Sequence, residues 1–420
     1  MLRQRRPVGE MATAQAVTQA VSTAIVNQDG EALAAALPLE QGGDQTLVTQ
    51  LASGRPSLEQ LCGAALDEPY DEMLLECFHS LKSTAAGEHL EAYTHLERAC
   101  SSFQSAFEKD TAWSLPALHK LDLGLRRAAQ RADVQLKEKG EKPCKLQEAA
   151  GVLQKSFRVV VTDRAPIETS KKWGALHVIN NLFKIYFQLN NLRLCQNLIR
   201  AVESPGFPKA TEGQEISGRR FPIAQLVTYH YFVGRLSLLN SQFSRAEQQL
   251  SFAFKRCPTV YVKNKRLILR YLVPVRLVLG VFASPKLLEQ YDLPYFVPIC
   301  RAVARGDLRT LRRELDDQQM RFIRHGSYLL VERPTMIAYR NFFQRVHSLH
   351  EPGTTKLDIA MFKRCLDSMG VTLDKEEVEC YLANLIYKGY IKGYLSHQHS
   401  KLVVSKGNAF PPLRDVLGSD

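Results

Sequence analysis

Over residues 12–200 apolar positions recur at three- and four-residue spacing, with few alternating β-branched runs, and the spacing predicts an α-helical array. Leu90, Tyr93, Leu96, Cys100, Phe103 and Phe107 fall on one stripe, and Leu182, Ile185, Tyr186 and Leu189 on another. The pattern breaks at residues 41–43, near 140–143, at 163–166, and most clearly over 204–222, where Pro205, Pro208 and Pro222 stand among glycines and polar residues. That last stretch reads as a mobile surface loop.

Beyond it two helices are expected, over 224–240 and 244–257, with a polar turn at Ser241 and Gln242. Leu226, Tyr229, Val233 and Leu236 line the first; Phe243, Ala246, Leu250, Ala253 and Phe254 line the turn and the second. Gly234 and Ala246 are small enough for the backbones to approach, so the pair resembles a tetratricopeptide-type hairpin in a degenerate helical solenoid. The end of the chain changes character. Ile359, Phe362, Leu366 and Met369 mark a short helix. A second starts at the capping-box pair Asp374 and Glu377, with Leu373 and Val378 as a staple, buries Val378, Tyr381, Leu382 and Leu385, and stops at Gly389. Two β-like runs follow, 390–395 and 401–405, joined by a turn at 396–400. Helix, helix, hairpin is the order of a winged helix. The expected architecture is therefore all-α, a helical-repeat solenoid ending in a winged helix with a small β-hairpin. Its parts are N-terminal repeats (1–203), the loop (204–222), further repeats (223–350), and the winged helix with its tail (351–420).

Composition narrows this picture. The chain has 420 residues, 45% hydrophobic and 23% charged, with mean hydropathy −0.20, and no charge-free window of membrane-spanning length. A soluble protein without a membrane partner is expected. Nine dispersed cysteines with no CxxC point to buried thiols in a reducing compartment, not to disulfides or zinc. Arg3, Arg5 and Arg6 before a Ser/Thr/Ala-rich stretch weakly resemble a transit peptide, but an amphipathic first helix behind a ragged basic extension is the simpler reading.

No phosphate loop, GxGxxG, HExxH, GxSxG or EF-hand ladder is present, so catalysis and cofactors are not expected. His397 and His399, two apart in the wing turn, lack a third ligand at metal-binding spacing and suit a solvated or phosphate-contacting turn better. His347 and His350 read as surface residues near a helix end, and Phe183, Tyr186 and Phe187 as core.

Charge distribution is the informative feature. The net charge is +12, from 55 Lys and Arg against 43 acids, which suits an acidic protein, a nucleic acid or an anionic surface. Residues 248–288 hold no acid but include Lys255, Arg256, Lys263, Lys265, Arg266, Arg270, Arg276 and Lys286. Residues 380–414 are likewise acid-free and carry Lys388, Lys392, Lys401, Lys406 and Arg414. The expected nucleic-acid-binding set is Lys388, Lys392, His397, His399, Lys401 and Lys406, with Lys263, Lys265, Arg266 and Arg270 as a second basic patch.

The run from Ala383 through Asn384, Tyr387, Lys388, Gly389, Tyr390, Lys392, Gly393 and Tyr394 to Lys401, Val403 and Lys406 resembles the end of a PCI domain, in the export-complex and signalosome-associated branch of that family. Glu68-Pro69-Tyr70-Asp71, Ser170-Lys171-Lys172-Trp173-Gly174, Asn181-Leu182-Phe183-Lys184, Leu250-Ser251-Phe252 and Asn264-Lys265-Arg266 match in the same order, over roughly residues 11–413. The resemblance implies helical repeats running into a winged helix and no catalytic activity. It further implies a subunit of a transcription-coupled messenger-RNA export complex in the nucleus, at nuclear pores. Its implied partners are a large helical scaffold subunit, a small acidic disordered subunit shared with the proteasome lid, and RNA or DNA on a platform of two adjoining winged helices. For the signalosome-associated member only the scaffold role is implied. Residues 1–10 have no counterpart, the N-terminal half matches loosely, and 204–222 is longer than the pattern.

Overall fold

The computed structural model describes residues 13–39, 45–53, 57–205, 207–208, 215–216 and 218–417. The basic extension, the break at 41–43 and part of the 204–222 stretch lie outside the described residues. The chain divides into two compact units, Met1–Tyr229 and His230–Asp420, with the division inside one helix.

The first unit is helical: α1 (Ala14–Val26), α2 (Gly30–Ala36), α3 (Gln45–Ser53), α4 (Leu58–Ala65), α5 (Tyr70–Ala85), α6 (His89–Lys109), α7 (Leu115–Glu138), α8 (Lys145–Val161), α9 (Ala175–Gln188), α10 (Arg193–Val202) and the start of α11 (Ile223–Leu239). Consecutive helices pack on one another from α5 through α9, as in a solenoid of hairpins. Tyr93, Leu96, Cys100, Phe103 and Phe107 of the first stripe are buried, and Leu90 is half-buried. Leu182, Ile185 and Tyr186 are buried too, but Leu189 is 39% exposed because it is the C-cap of α9, past the last packed turn. The Ser170–Gly174 block is structural: Lys171 Nζ donates to the carbonyls of Phe107 (2.7 Å) and Glu108 (3.1 Å), capping the end of α6. Asp163 accepts from Ser170 Oγ and Lys171 N, both at 2.7 Å, and fixes that turn. The described parts of 204–222 are non-helical. Phe207 and Phe221 nonetheless stack at 6.2 Å and are buried, with Phe221 against Trp173, so this loop is tied down at its ends.

The second unit continues with the rest of α11, α12 (Phe243–Arg256), α13 (Val262–Val278), α14 (Pro285–Gln290), α15 (Phe296–Arg305), α16 (Leu308–Asp317), α17 (Gln319–His325), α18 (Tyr328–Glu332) and α19 (Thr335–His347). β1 (Lys356–Asp358), α20 (Ile359–Ser368), α21 (Lys375–Tyr387), β2 (Gly393–Ser396), β3 (Lys401–Val404) and α22 (Leu413–Leu417) complete it. At the α11–α12 crossing a Cβ on Gly234 would lie 2.7 Å from Leu250 Cγ, so the expected close approach is real. Gly306, at φ +66°, caps α15 where a Cβ would meet the backbone N of Phe342 at 2.3 Å; only glycine fits that corner against α19. α20 and α21 pack on each other and on α19, Phe343 meeting Phe362 edge-on at 5.2 Å and Tyr339 stacking on Tyr381 at 4.2 Å. The hairpin is not alone: β1 joins it in an antiparallel sheet of order β1-β3-β2.

Six of the nine cysteines are buried, which accords with their reading as small hydrophobes. Among the described residues no helix is long and apolar enough to cross a membrane.

Candidate nucleic-acid interface

The winged helix is held from inside by a small apolar core. Leu357, Ile359, Phe362, Leu366, Val378, Leu382, Leu385 and Leu402 are each 0% exposed. α21 begins where Asp374 Oδ1 accepts from Glu377 N (2.7 Å) and Glu377 Oε2 accepts from Asp374 N (2.8 Å), the reciprocal box read from the sequence. It ends with Lys388 as C-cap and Gly389 at φ +73°, where the chain turns toward the wing. Tyr381 is half-buried, at the edge of the helix's inner face. Strand pairing sets the wing's surface: Lys401 stands opposite Ser396 and Asp358, and Val403 opposite Tyr394 and Lys356. Leu402 and Val404 therefore point inward, while Lys401 and Tyr394 point out.

Lys388, Lys392, His397, His399, Lys401 and Lys406 are all exposed. None of the four lysines enters an ion pair among the described residues. His397 does: its Nδ1 lies 2.7 Å from Glu379 Oε2. The run from 380 holds no acid, yet the residue just before it reaches the wing turn, because one face of α21 looks onto the hairpin. His397 is thus engaged with a carboxylate that lies just outside the acid-free run. Among the described residues no group of three His, Cys, Asp or Glu side chains is placed to hold a metal.

The second patch comes apart. Lys265 is 5% exposed, with its Nζ donating to Phe254 O (2.9 Å) above the Phe254 ring, so it caps α12 from inside and cannot contact a phosphate. Arg266 donates to Tyr291 O (2.9 Å) and pairs with Asp292 at 2.9 Å. Arg270 is half-buried, and Lys263 alone of the four is exposed. Arg276 is bound to Glu247 (3.0 Å) and to Ser251 Oγ (2.9 Å). The cations were legible in sequence; their acidic partners, Glu247 and Asp292 beyond the run, and the carbonyl that takes Lys265 were not.

Two further features escaped the sequence reading. Lys356 joins the wing surface through β1, a three-residue strand with one buried side chain. The segment after β3 returns to the repeats: Arg340, buried in α19, donates to the carbonyls of Phe410 (3.0 Å) and Pro411 (2.8 Å), and Lys392 N donates to Ala409 O (2.9 Å). Beside this return lies a groove of about 630 Å³ lined in part by Phe243, Leu329, Met336, Tyr387, Tyr390 and Val416. Leu329 is 73% and Tyr387 89% exposed.

Comparison with known proteins follows the same outline. Residues 315–406 match the PCI domain. A Xenopus laevis protein named PCI domain-containing protein 2 is 42% identical over 366 residues, 86% of this chain and 89% of that protein. The Danio rerio protein of the same name is 40% identical over 404 residues, 95% and 97% of the two chains. A Mycosarcoma maydis protein named Protein CSN12 homolog is 30% identical, covering 94% and 97%. With a winged helix where the domain matches, and relatives aligned over nearly their whole length, the chain belongs to the PCI-domain-containing protein 2 family.

Proposed function

We propose that this chain is a non-catalytic scaffold subunit of a nuclear, transcription-coupled messenger-RNA export complex at the nuclear pore. It pairs with a large helical partner and a small acidic disordered one, and presents its winged-helix lysines to RNA or DNA. The observation that carries this reading is the set of Lys388, Lys392, Lys401 and Lys406, exposed and outside any ion pair among the described residues. Such cations meet phosphates at little desolvation cost, and phosphate contacts position a nucleic acid without reading its bases. Binding of the purified complex to RNA and to DNA, titrated against salt, tests it. Affinity that falls steeply with salt and depends weakly on base order is expected; salt-insensitive or absent binding overturns it.

A second reading is a signalosome-associated scaffold that contacts proteins alone. Support for it comes from the relative named Protein CSN12 homolog and from the apolar groove beside Tyr387. Affinity purification with mass spectrometry separates the two, since an export scaffold and signalosome subunits are distinct preys.

A further inference from the structure

The outer face of the β1-β3-β2 sheet carries an aromatic ring in a setting that the basic runs alone do not reveal. Tyr394 is 62% exposed and has no ring, cation or hydrogen-bond partner for its side chain among the described residues. It stands directly opposite Val403, and Val403 stands opposite Lys356 on the far strand. Lys392, exposed, lies two positions before Tyr394 at the entry to β2, and Lys401 sits diagonally across on β3, opposite Ser396. Lys401, diagonal to Tyr394, lies about 5–8 Å away and Lys356, beyond the intervening strand, about 10 Å, so three exposed lysines flank one bare phenol ring within side-chain reach. The acid on this face, Asp358, has its carboxylate accepting from Ala360 N (3.0 Å) at the start of α20.

An exposed large aromatic on a flat sheet has a physical consequence. In a duplex the faces of the bases are covered by their neighbours, so a ring on a sheet surface gains nothing from it beyond its surrounding charge. An unpaired base offers its face, and flanking lysines take the phosphates on either side of it. We infer that the outer sheet face binds single-stranded nucleic acid, with Tyr394 as the stacking residue and Lys356, Lys392 and Lys401 as the backbone clamps. The inference rests on the nucleic-acid reading proposed above and narrows it from any polyphosphate strand to an unpaired one.

The test uses the full chain with short fluorescent oligouridine and oligothymidine probes and a blunt duplex of equal length. Tyr394→Ala should weaken both single-stranded probes about 5- to 150-fold, the range of one lost base–aromatic stack, and leave the duplex within about twofold. Tyr394→Phe should keep single-strand affinity, and an iodouracil-substituted probe should crosslink to the peptide containing Tyr394. The melting temperature should be unchanged in both variants. Single-strand affinity untouched by Tyr394→Ala, or lowered equally for the duplex, overturns this inference while the lysine-dependent reading stands. Loss of a co-purifying protein in place of the oligonucleotide also overturns it, assigning the face to that protein. Failure of the wild-type protein, alone and in its purified complex, to bind any probe overturns both.

Discussion

Three cations of the acid-free run around α13 finish inside hydrogen-bond networks, and four lysines of the acid-free run in the winged helix finish in water. Lys265 caps α12 through Phe254 O, Arg266 is held by Asp292 and Tyr291 O, and Arg276 by Glu247. Lys388, Lys392, Lys401 and Lys406 have no such ties among the described residues. The difference teaches that a run of like charge is defined by what lies within it, whereas a fold pairs charges across its borders. Glu247 sits one position before the first run begins, and Asp292 four positions after it ends. The same rule acts once on the second run, where Glu379 borders it and takes His397.

That contrast can be broken most forcefully on the exposed side. Changing Lys388, Lys392, Lys401 and Lys406 together to Glu should abolish nucleic-acid binding in a gel-shift or anisotropy assay while the melting temperature stays near wild type, since exposed lysines contribute within about 0.5 kcal/mol each. An intact quadruple variant that still binds with wild-type salt dependence would show that the two runs do not differ in function. Removing the support beneath the surface is the next largest change. Leu385→Ala empties a fully buried position and should cost about 2–5 kcal/mol by chemical denaturation, with partner co-purification falling in step.

On the buried side the effect should switch from binding to stability. Lys265→Ala strips Phe254 O of its buried donor and should cost about 1–3 kcal/mol, leaving the affinity of the surviving folded protein for RNA unaltered. Smaller still, each single Lys→Ala change in the winged helix should lower the log–log salt slope by about 0.7–0.9. Lys263→Ala, exposed and far along the first run, should move neither quantity; a measurable loss of binding there would reopen the first run as a nucleic-acid surface.

Local signals carried much of the fold. The capping box at Asp374 and the Val378, Leu382, Leu385 stripe were readable because cap chemistry and helical period are written within a few residues. The α11–α12 hairpin was readable for the same reason, with Gly234 announcing the crossing. β1 was not, because one buried residue, Leu357, makes no period, and its partner Leu402 lies far along the chain. Lys356 therefore went unnoticed as a wing residue. Nor could the sequence tell which cations pair: Arg276 and Glu247 are 29 positions apart, and only the packing of α13 on α12 brings them together.

The return of the chain from β3 to α19 has a mechanical consequence. Covalently the wing is attached to the repeats through the link from α19 into β1, but Arg340 makes a second anchorage at Phe410 and Pro411, beyond the residues matched as the PCI domain. A module fastened at one end swivels under load. One fastened at both ends passes tension onward, so a strand drawn across Tyr394 and its lysines would pull on the last repeat helix directly, making the wing a handle and not a hinge.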